Sequence, residues 1–259
     1  MTTHHLAFAD KSLAYVEQGS GPAIIIVHGV GGHKEDWAGV ATALADTHCV
    51  IAIDMLGFGE SSKTGNDLSM PVQAAALAAL LDAQGVEKAS LIGNSVGGWV
   101  TATFAATYPD RTEKLILIDV AGFEAMFEGE PPANFDSSSV EEQRALLRVV
   151  APKAADIPGV AEHAFESYVA TGEKAIAAGW GQSLYSSPRL ETLLPNISAS
   201  TLVLWGADDT LFPAMLCDIF AGQIATAQSA LIADAGHFPH MDNPEATTAA
   251  IRNFLATES

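Results

Sequence analysis

Short apolar runs recur along the chain, each followed by a polar, glycine-rich stretch and then by a longer segment of helical period. Ile24-Ile25-Ile26-Val27, Val50-Ile51-Ala52-Ile53, Leu91-Ile92, Leu115-Ile116-Leu117-Ile118 and Leu202-Val203-Leu204-Trp205 are apolar at consecutive positions, so each predicted strand is buried on both faces. Burial on both faces marks a mostly parallel sheet with helices on either side. Helices are predicted near 34–45, 70–84, 96–108, 213–223 and 243–256, a weak last strand at Ala230-Leu231-Ile232, and an antiparallel edge hairpin from Leu6 to Val16. The rhythm stops between Gly122 and Pro188, where Pro131-Pro132, Ser137-Ser138-Ser139 and Pro152 punctuate short helical patterns without a convincing strand. The expected organisation is a core of 1–121 and 189–259 carrying a helical cap insertion, 122–188.

Composition narrows the possible roles. A chain of 259 residues that is 49% hydrophobic can bury a sizeable core. Its apolar runs are too short to cross a bilayer, and Met1 to Asp10 lacks the basic and apolar regions of a signal peptide, so a cytoplasmic location is expected. Lys and Arg number 12 against 31 Asp and Glu, a net charge of -19, which repels nucleic acid and anionic membrane. The expected partner is therefore a neutral or singly charged small molecule. Cys49 and Cys217 lie far apart without C-x-x-C spacing and read as free thiols. Gly57-Phe58-Gly59 lacks the third glycine of a dinucleotide fingerprint, and the histidines show no metal-binding pattern, so neither cofactor nor metal is expected.

In open parallel sheets ligands bind beyond the carboxyl ends of the strands, which directs attention to the residues after each apolar run. These are His28-Gly29-Val30-Gly31-Gly32, Asp54-Met55-Leu56-Gly57-Phe58-Gly59-Glu60-Ser61, Gly93-Asn94-Ser95-Val96-Gly97, Gly206-Ala207-Asp208-Asp209 and Ala235-Gly236-His237-Phe238-Pro239-His240. A G-x-S-x-G turn between strand and helix is a setting in which a serine hydroxyl becomes a nucleophile: the glycines permit a turn tight enough to push the serine out at the head of a helix. The helix N-terminus favours negative charge beside it. On its own the five-residue match is within reach of chance, and the alternative reading of Ser95 is a loop serine capping the next helix.

The five loops together supply serine, carboxylate and histidine in the order Ser, Asp, His, and in this the chain resembles the α/β-hydrolase-fold enzymes. The resemblance rests on the H-G-x-G-G loop, the D-x-x-G-x-G-x-S loop, G-N-S-V-G-G, W-G-x-x-D and G-H, and spans nearly the whole chain outside the insertion. It implies Ser95 as nucleophile, His237 as general base and then acid, and a carboxylate orienting His237. Asp208 and Asp209 compete for that role; in similar proteins the acid lies three residues after the glycine that ends the strand, which selects Asp209. His240 is a rival base, disfavoured by the Gly236-His237 match. The resemblance also implies an oxyanion hole from the backbone N–H groups of Val30 and Val96. His28 is read as a brace for its loop and Asp54 as fixing its turn.

Serine at the elbow disfavours the dehalogenases and epoxide hydrolases of similar scaffold, which carry aspartate there. Small carboxylesterases are resembled through Gly236-His237-Phe238-Pro239-His240 and Asn243-Pro244-Glu245. Carbon–carbon hydrolases of ring-fission products are resembled through G-N-S-V-G-G and Tyr108-Pro109-Asp110-Arg111, but they usually carry tryptophan where Phe238 and Met241 stand. Phe123, Met126, Phe127, Trp180 and Phe238 are candidate pocket residues, and Arg189 is a candidate for holding an acidic substrate. The expectation is an α/β-hydrolase fold cleaving a small, mainly apolar ester through an acyl-enzyme. The alternatives are carbon–carbon hydrolysis and a ligand-binding protein that keeps the three residues without productive turnover.

Overall fold

Parallel strands that are apolar at every position must find a hydrophobic layer on each side, and the chain supplies both. In the computed structural model, residues 2–63, 67–128, 135–173 and 177–257 are described, the side chains of 177–180 excepted. The strands are β1 (His4–Phe8), β2 (Lys11–Gly19), β3 (Ala23–Val27), β4 (Cys49–Ile53), β5 (Ala89–Asn94), β6 (Thr112–Ile118), β7 (Ser200–Gly206) and β8 (Ala227–Ile232). They form one sheet in the order β1-β2-β4-β3-β5-β6-β7-β8. The β1/β2 and β2/β4 pairs are antiparallel and all others parallel.

The helices are α1 (Ala38–Leu44), α2 (Met70–Ala83), α3 (Val96–Thr107), α4 (Val140–Val150), α5 (Pro152–Ala155), α6 (Val160–Ala170), α7 (Ala177–Ser186), α8 (Leu190–Leu193), α9 (Leu216–Ala221), α10 (Pro239–Asp242) and α11 (Pro244–Leu255). Register sorts side chains to the two faces. Ile25 pairs with Ile51 and Leu91, and Leu91 with Leu115; this row packs with Leu77 and Leu80 of α2 and with Trp99 and Val100 of α3. Ile24, Ile26, Ile92, Ile116 and Leu204 point the other way, onto Val40 and Leu44 of α1 and Ile251 and Phe254 of α11. Full burial of each such side chain contributes about 1.5–3 kcal/mol.

Two predicted helices change shape for local reasons. The stretch read as a helix from 34 begins as a single 3-10 turn, Lys34–Trp37, before α1. The one near 213–223 shortens to α9, because Leu216 and Cys217 donate to the Pro213 and Ala214 carbonyls in tight three-residue turns. Among the described residues of 122–188 there is helix and no strand. The segment leaves and returns at one place: Leu190 N–H donates to the Gly122 carbonyl at 2.8 Å and Trp99 Nε1 to the Pro188 carbonyl at 2.7 Å. A β-carbon on Gly122, at φ 97, would lie 2.2 Å from the Trp99 ring, so the seam requires glycine.

Buried charges pin the loops at the carboxyl edge. Asp54 is fully buried; its carboxylate accepts from Lys34 N–H (2.9 Å), Lys34 Nζ (2.8 Å) and Glu60 N–H (2.8 Å). Lys34 Nζ also reaches Glu60 (3.0 Å) and Glu35 (2.8 Å), so a buried ammonium ties the loop after β3 to the loop after β4. A second link comes from the insertion. Buried Glu173 accepts from Gly59 N–H (2.9 Å) and Thr171 Oγ1 (2.9 Å) and meets His33 Nε2 at 2.9 Å. Burial opposes the charge on His33, but the hydrogen bond and field of Glu173 outweigh it and hold the imidazole above its ordinary pKa. Burial likewise opposes the charge on Glu173, which the bonds from His33, Gly59 and Thr171 hold below the ordinary carboxylate value.

Lys34→Met is expected to lower unfolding free energy by about 3–5 kcal/mol, because it strands the Asp54 charge without its partner; denaturant titration reads this out. The His33–Glu173 pair gives a signed pH dependence. The raised His33 pKa contributes stability fully present below about pH 6.5 and lost as pH rises through the folded-state value, while the lowered Glu173 pKa contributes stability lost on acidification below about pH 4.5. Glu173→Gln should therefore cost about 1.5–3 kcal/mol near pH 5.5 and less at pH 9, as measured by thermal melts across pH.

Candidate active site

Chain geometry at Ser95 is set by its two glycine neighbours. Strand β5 ends at Asn94, α3 starts at Val96, and Ser95 sits between them at φ 54 and ψ −122, a strained conformation for a residue with a side chain. A β-carbon on Gly93 would lie 2.3 Å from the Gly97 carbonyl oxygen, and one on Gly97 would lie 2.3 Å from the carbonyl oxygens of Val27 and His28. The turn is thus packed backbone against backbone. Ser95 N–H donates to the Ile118 carbonyl (2.9 Å), and its own carbonyl accepts from Ala121 (3.1 Å) and Trp99 (3.2 Å). Both polar backbone groups of Ser95 are spent on holding the turn.

His237 follows β8 in a loop whose position is fixed twice over. Asn94 Nδ2 donates to the His237 carbonyl at 3.1 Å and to the Ile118 carbonyl at 3.2 Å, so the residue beside Ser95 holds the histidine segment alongside the serine turn. Asp242 accepts from Gly236 N–H (2.9 Å) and from Lys153 and Ala154 N–H (3.0 and 3.2 Å), joining that segment to the insertion. The His237 ring is buried. Nδ1 meets Asp209 Oδ2 at 2.8 Å, while Nε2 has no hydrogen-bond partner among the described residues. Phe212 packs edge-on to the ring, with centroids 4.9 Å apart. Asp209 Oδ1 accepts from Leu211 and Phe212 N–H at 2.8 and 3.0 Å, which orients the carboxylate toward the imidazole. Its neighbour Asp208 is exposed and makes its backbone bond to Ala235.

The loop after β3 turns tightly: Gly32 N–H donates to the Gly29 carbonyl at 3.1 Å with Gly31 at φ 74, the position at which a type II turn calls for glycine. Gly29 is so close that its β-carbon would lie 3.0 Å from Ser95 Cβ, which brings Val30 beside the serine. Val96 is the first residue of α3, where backbone N–H groups lack intrahelical acceptors. His28 braces this loop, with Nδ1 donating to the Gly29 carbonyl (2.7 Å) and Nε2 accepting from Met55 N–H (3.0 Å). Burial holds it below its ordinary pKa. His240 lies flat on Trp37 (3.9 Å between centroids, 10° between planes), and burial pushes it down to about 3. It is a neutral packing ring.

A cavity of about 610 Å³ lies between this loop and the insertion. The wall from the insertion is mainly apolar, with Leu146, Leu147 and Val150 of α4 and Val160 and Ala164 of α6, interrupted by Gln143 and His163; Phe238 and Met241 also line it, and His33, Ser167 and Thr171 add polar groups. It reaches Asn94 and Phe238, the neighbours of Ser95 and His237, without those two residues forming its wall. Of the other candidate pocket residues, Phe123 packs on Phe212 and Phe220, and Phe127 on Trp99 and Tyr185. Met126 Sδ accepts from Gly122 N–H at 3.4 Å. Arg189 stacks 3.8 Å above the Phe127 ring and pairs with Glu124 at 3.0 Å. These residues form the seam where the insertion meets the sheet. The Trp180 side chain lies outside the described residues.

Sequence reasoning passed over Asp119. It follows β6 directly, is fully buried, and sits with Asp209 and His237 such that one ligand-type atom from each lies within 4.8 Å of the others. The same rule that singled out the other strand ends applies to it. This trio is the one group among the described residues with the spacing to hold a metal ion. Two of its members are engaged with each other, His237 Nδ1 with Asp209, and the Leu211 and Phe212 N–H groups also bind that carboxylate. No helix among the described residues is long and apolar enough to cross a membrane.

With this geometry in place, likeness to known proteins becomes informative. The family model described as "alpha/beta hydrolase fold" matches residues 22–151. Lipase 1 of Psychrobacter immobilis is 28% identical, over 92% of this chain and 78% of the lipase. A 2-hydroxymuconate semialdehyde hydrolase of Pseudomonas sp. is 29% identical, over 93% of this chain and 89% of that protein. Among solved structures, a thermophilic esterase from Thermogutta terrifontis is 28% identical and superposes with a TM-score of 0.82 over 98% of both chains. The relatives thus include lipases, esterases and carbon–carbon hydrolases. By the family match and the sheet order together, the chain belongs to the α/β-hydrolase fold family.

Proposed function

We propose that this protein is a serine hydrolase that cleaves a small, mainly apolar carboxylic ester through an acyl-enzyme on Ser95. The observation that carries the reading is the His237 imidazole, bound to Asp209 at Nδ1 and left with a buried, unpaired Nε2 in the segment that Asn94 holds beside Ser95. A buried polar nitrogen without a partner is costly, and a hydroxyl proton is the partner such a site calls for. His237 would take the Ser95 proton as the hydroxyl oxygen attacks the ester carbonyl, with Asp209 stabilising the imidazolium. The N–H groups of Val30 and Val96, with the N-terminus of α3 behind the latter, would receive the oxyanion. His237 would then protonate the departing alkoxide. Water, activated by the same imidazole, would release the acid and restore Ser95.

The cavity favours a neutral substrate over an acidic one. Lys34 is the one Lys or Arg among the described cavity-lining residues, and it is paired to Asp54, Glu60 and Glu35. Arg189 is outside the cavity and paired to Glu124. The carboxylate of a ring-fission product would meet Glu35, Glu60 and Asp36 at that wall, a repulsive setting, whereas an acyl chain would lie on Leu146, Leu147, Val150 and Val160. Carbon–carbon hydrolysis is the second reading, supported by the 29% identity to the semialdehyde hydrolase.

Ser95→Ala is expected to lower kcat on p-nitrophenyl esters by about 10³-fold or more with little change in KM. Across acetate to octanoate, Leu147→Trp should raise KM for the longer chains and spare acetate, because it fills the apolar wall. A spectroscopic assay with a ring-fission dienoate should show turnover far below that of the esters. Faster dienoate than ester hydrolysis would transfer the assignment to the second reading, and no turnover of any of them would leave a binding role.

A further inference from the structure

The carboxyl edge of the sheet holds one more ionisable group than the triad uses. Asp119 is completely buried and takes a left-handed backbone conformation, φ 44, immediately after β6. Strain at a non-glycine residue persists where the surroundings over-determine it. Here the determinants are two hydrogen bonds to β7, Asp119 N–H to the Leu204 carbonyl (3.0 Å) and Gly206 N–H to Asp119 Oδ1 (2.9 Å). They turn the carboxyl toward Asp209, and the second oxygen, Oδ2, has no conventional partner although it is buried.

The two carboxyl groups have very different surroundings. Three N–H donors converge on Asp209, from Leu211, Phe212 and His237; Asp119 receives one, from Gly206. The charged and titratable groups acting on or coupled to Asp119 are Asp209 and His237 in the same cluster, Asp242, and the buried Cys217 thiol, and none of these is a lysine or arginine. Two carboxyls a few ångströms apart in a dry site cannot both ionise, and the one with fewer donors keeps the proton. Desolvation first, and then the field of Asp209, raise the Asp119 carboxyl well above the ordinary carboxylate range.

We propose that Asp119 is a positioning residue carried as a neutral acid, sharing its proton with Asp209 and able to become the carboxylate partner of His237 when the Asp209 charge is removed. In the resting site the Asp119 hydroxyl steadies the Asp209 carboxylate. The proton stays between the two carboxyls while His237 exchanges protons with Ser95, so the charge balance of the turnover cycle is unchanged. Without the Asp209 charge the repulsion that adds to desolvation in keeping the proton on Asp119 is gone, and the imidazole beside it favours its charged form. Asp119 then ionises within reach of the imidazole, in the 4.8 Å cluster.

This inference rests on the proposed triad, so its test has one arm that does not depend on turnover. Infrared difference spectra of the folded protein near pH 8 should contain a buried carboxylic-acid C=O band that is lost in Asp119→Asn and retained in Ser95→Ala. In the second arm, Asp209→Asn should retain ester hydrolysis at least about tenfold above the Asp209→Asn/Asp119→Asn double variant, rising with pH as Asp119 ionises. Thermal melts check that both variants fold; if the double variant does not, Asp209→Asn/Asp119→Ser replaces it. Absence of the acid band, or equal activities of the single and double variants with flat pH dependence, would overturn the proposal. Loss of esterase activity in the unmodified protein, with the band present, would instead remove the proposed function and leave the protonated pair standing.

Discussion

The backbone at Ser95 is the constraint on which the rest of this molecule depends. A non-glycine residue at φ 54 and ψ −122 costs about 1–3 kcal/mol, and here it is held between a central strand and the helix that covers it. The turn closes because two glycines leave nothing between neighbouring backbones. Gly93 lies against Gly97, and Gly97 against Val27 and His28, at separations no side chain would tolerate. Placing β5 between β3 and β6 makes this possible, since β3 delivers the Gly29 loop and β6 delivers the Ile118 carbonyl and the Ala121 N–H that anchor Ser95. The sheet order is therefore what stores and offsets the strain.

Around that turn, buried acids fix the loops. Asp54 holds the loops after β3 and β4 together through Lys34, Glu173 joins the insertion to both through His33 and Gly59, and Asp242 joins the insertion to the histidine segment. Each acid is matched by a cation or by backbone N–H groups, as burial of charge demands. This gives part of the -19 net charge an internal use. A consequence is that the cavity wall presents acids and paired cations, the basis of the proposed preference for neutral substrates.

The strands and the five loops were legible because parallel strands advertise themselves as unbroken apolar runs and their carboxyl ends as polar interruptions. Ser95, Asp209 and His237 stand at those interruptions. Asp119 stands at another, after Ile118, and was passed over because its loop continues as Val120-Ala121-Gly122, which resembles more core. The His33–Glu173 pair was not legible at all: 140 residues separate its members, and only the folding of the insertion over the sheet brings them together. Phe123, Phe127 and Arg189 have pocket-like chemistry in sequence, yet they seat the insertion, because an aromatic ring at a domain seam and one at a pocket wall obey the same pattern of apolar residues near a strand end.

The wall of the cavity is drawn in part from α4 and α6, in the segment between β6 and β7 that carries none of the five strand-end loops, so the proposed substrate preference is written away from the motifs that mark the site. The proposed chemistry, by contrast, is concentrated at one strained residue. Rapid mixing with a p-nitrophenyl ester, acid quench and peptide mass analysis tests that centre most directly. The expected result is an acyl adduct on the peptide containing Ser95, formed in a burst and absent from Ser95→Ala. Ester turnover that proceeds without any adduct on Ser95, or with an adduct on another residue, would contradict it.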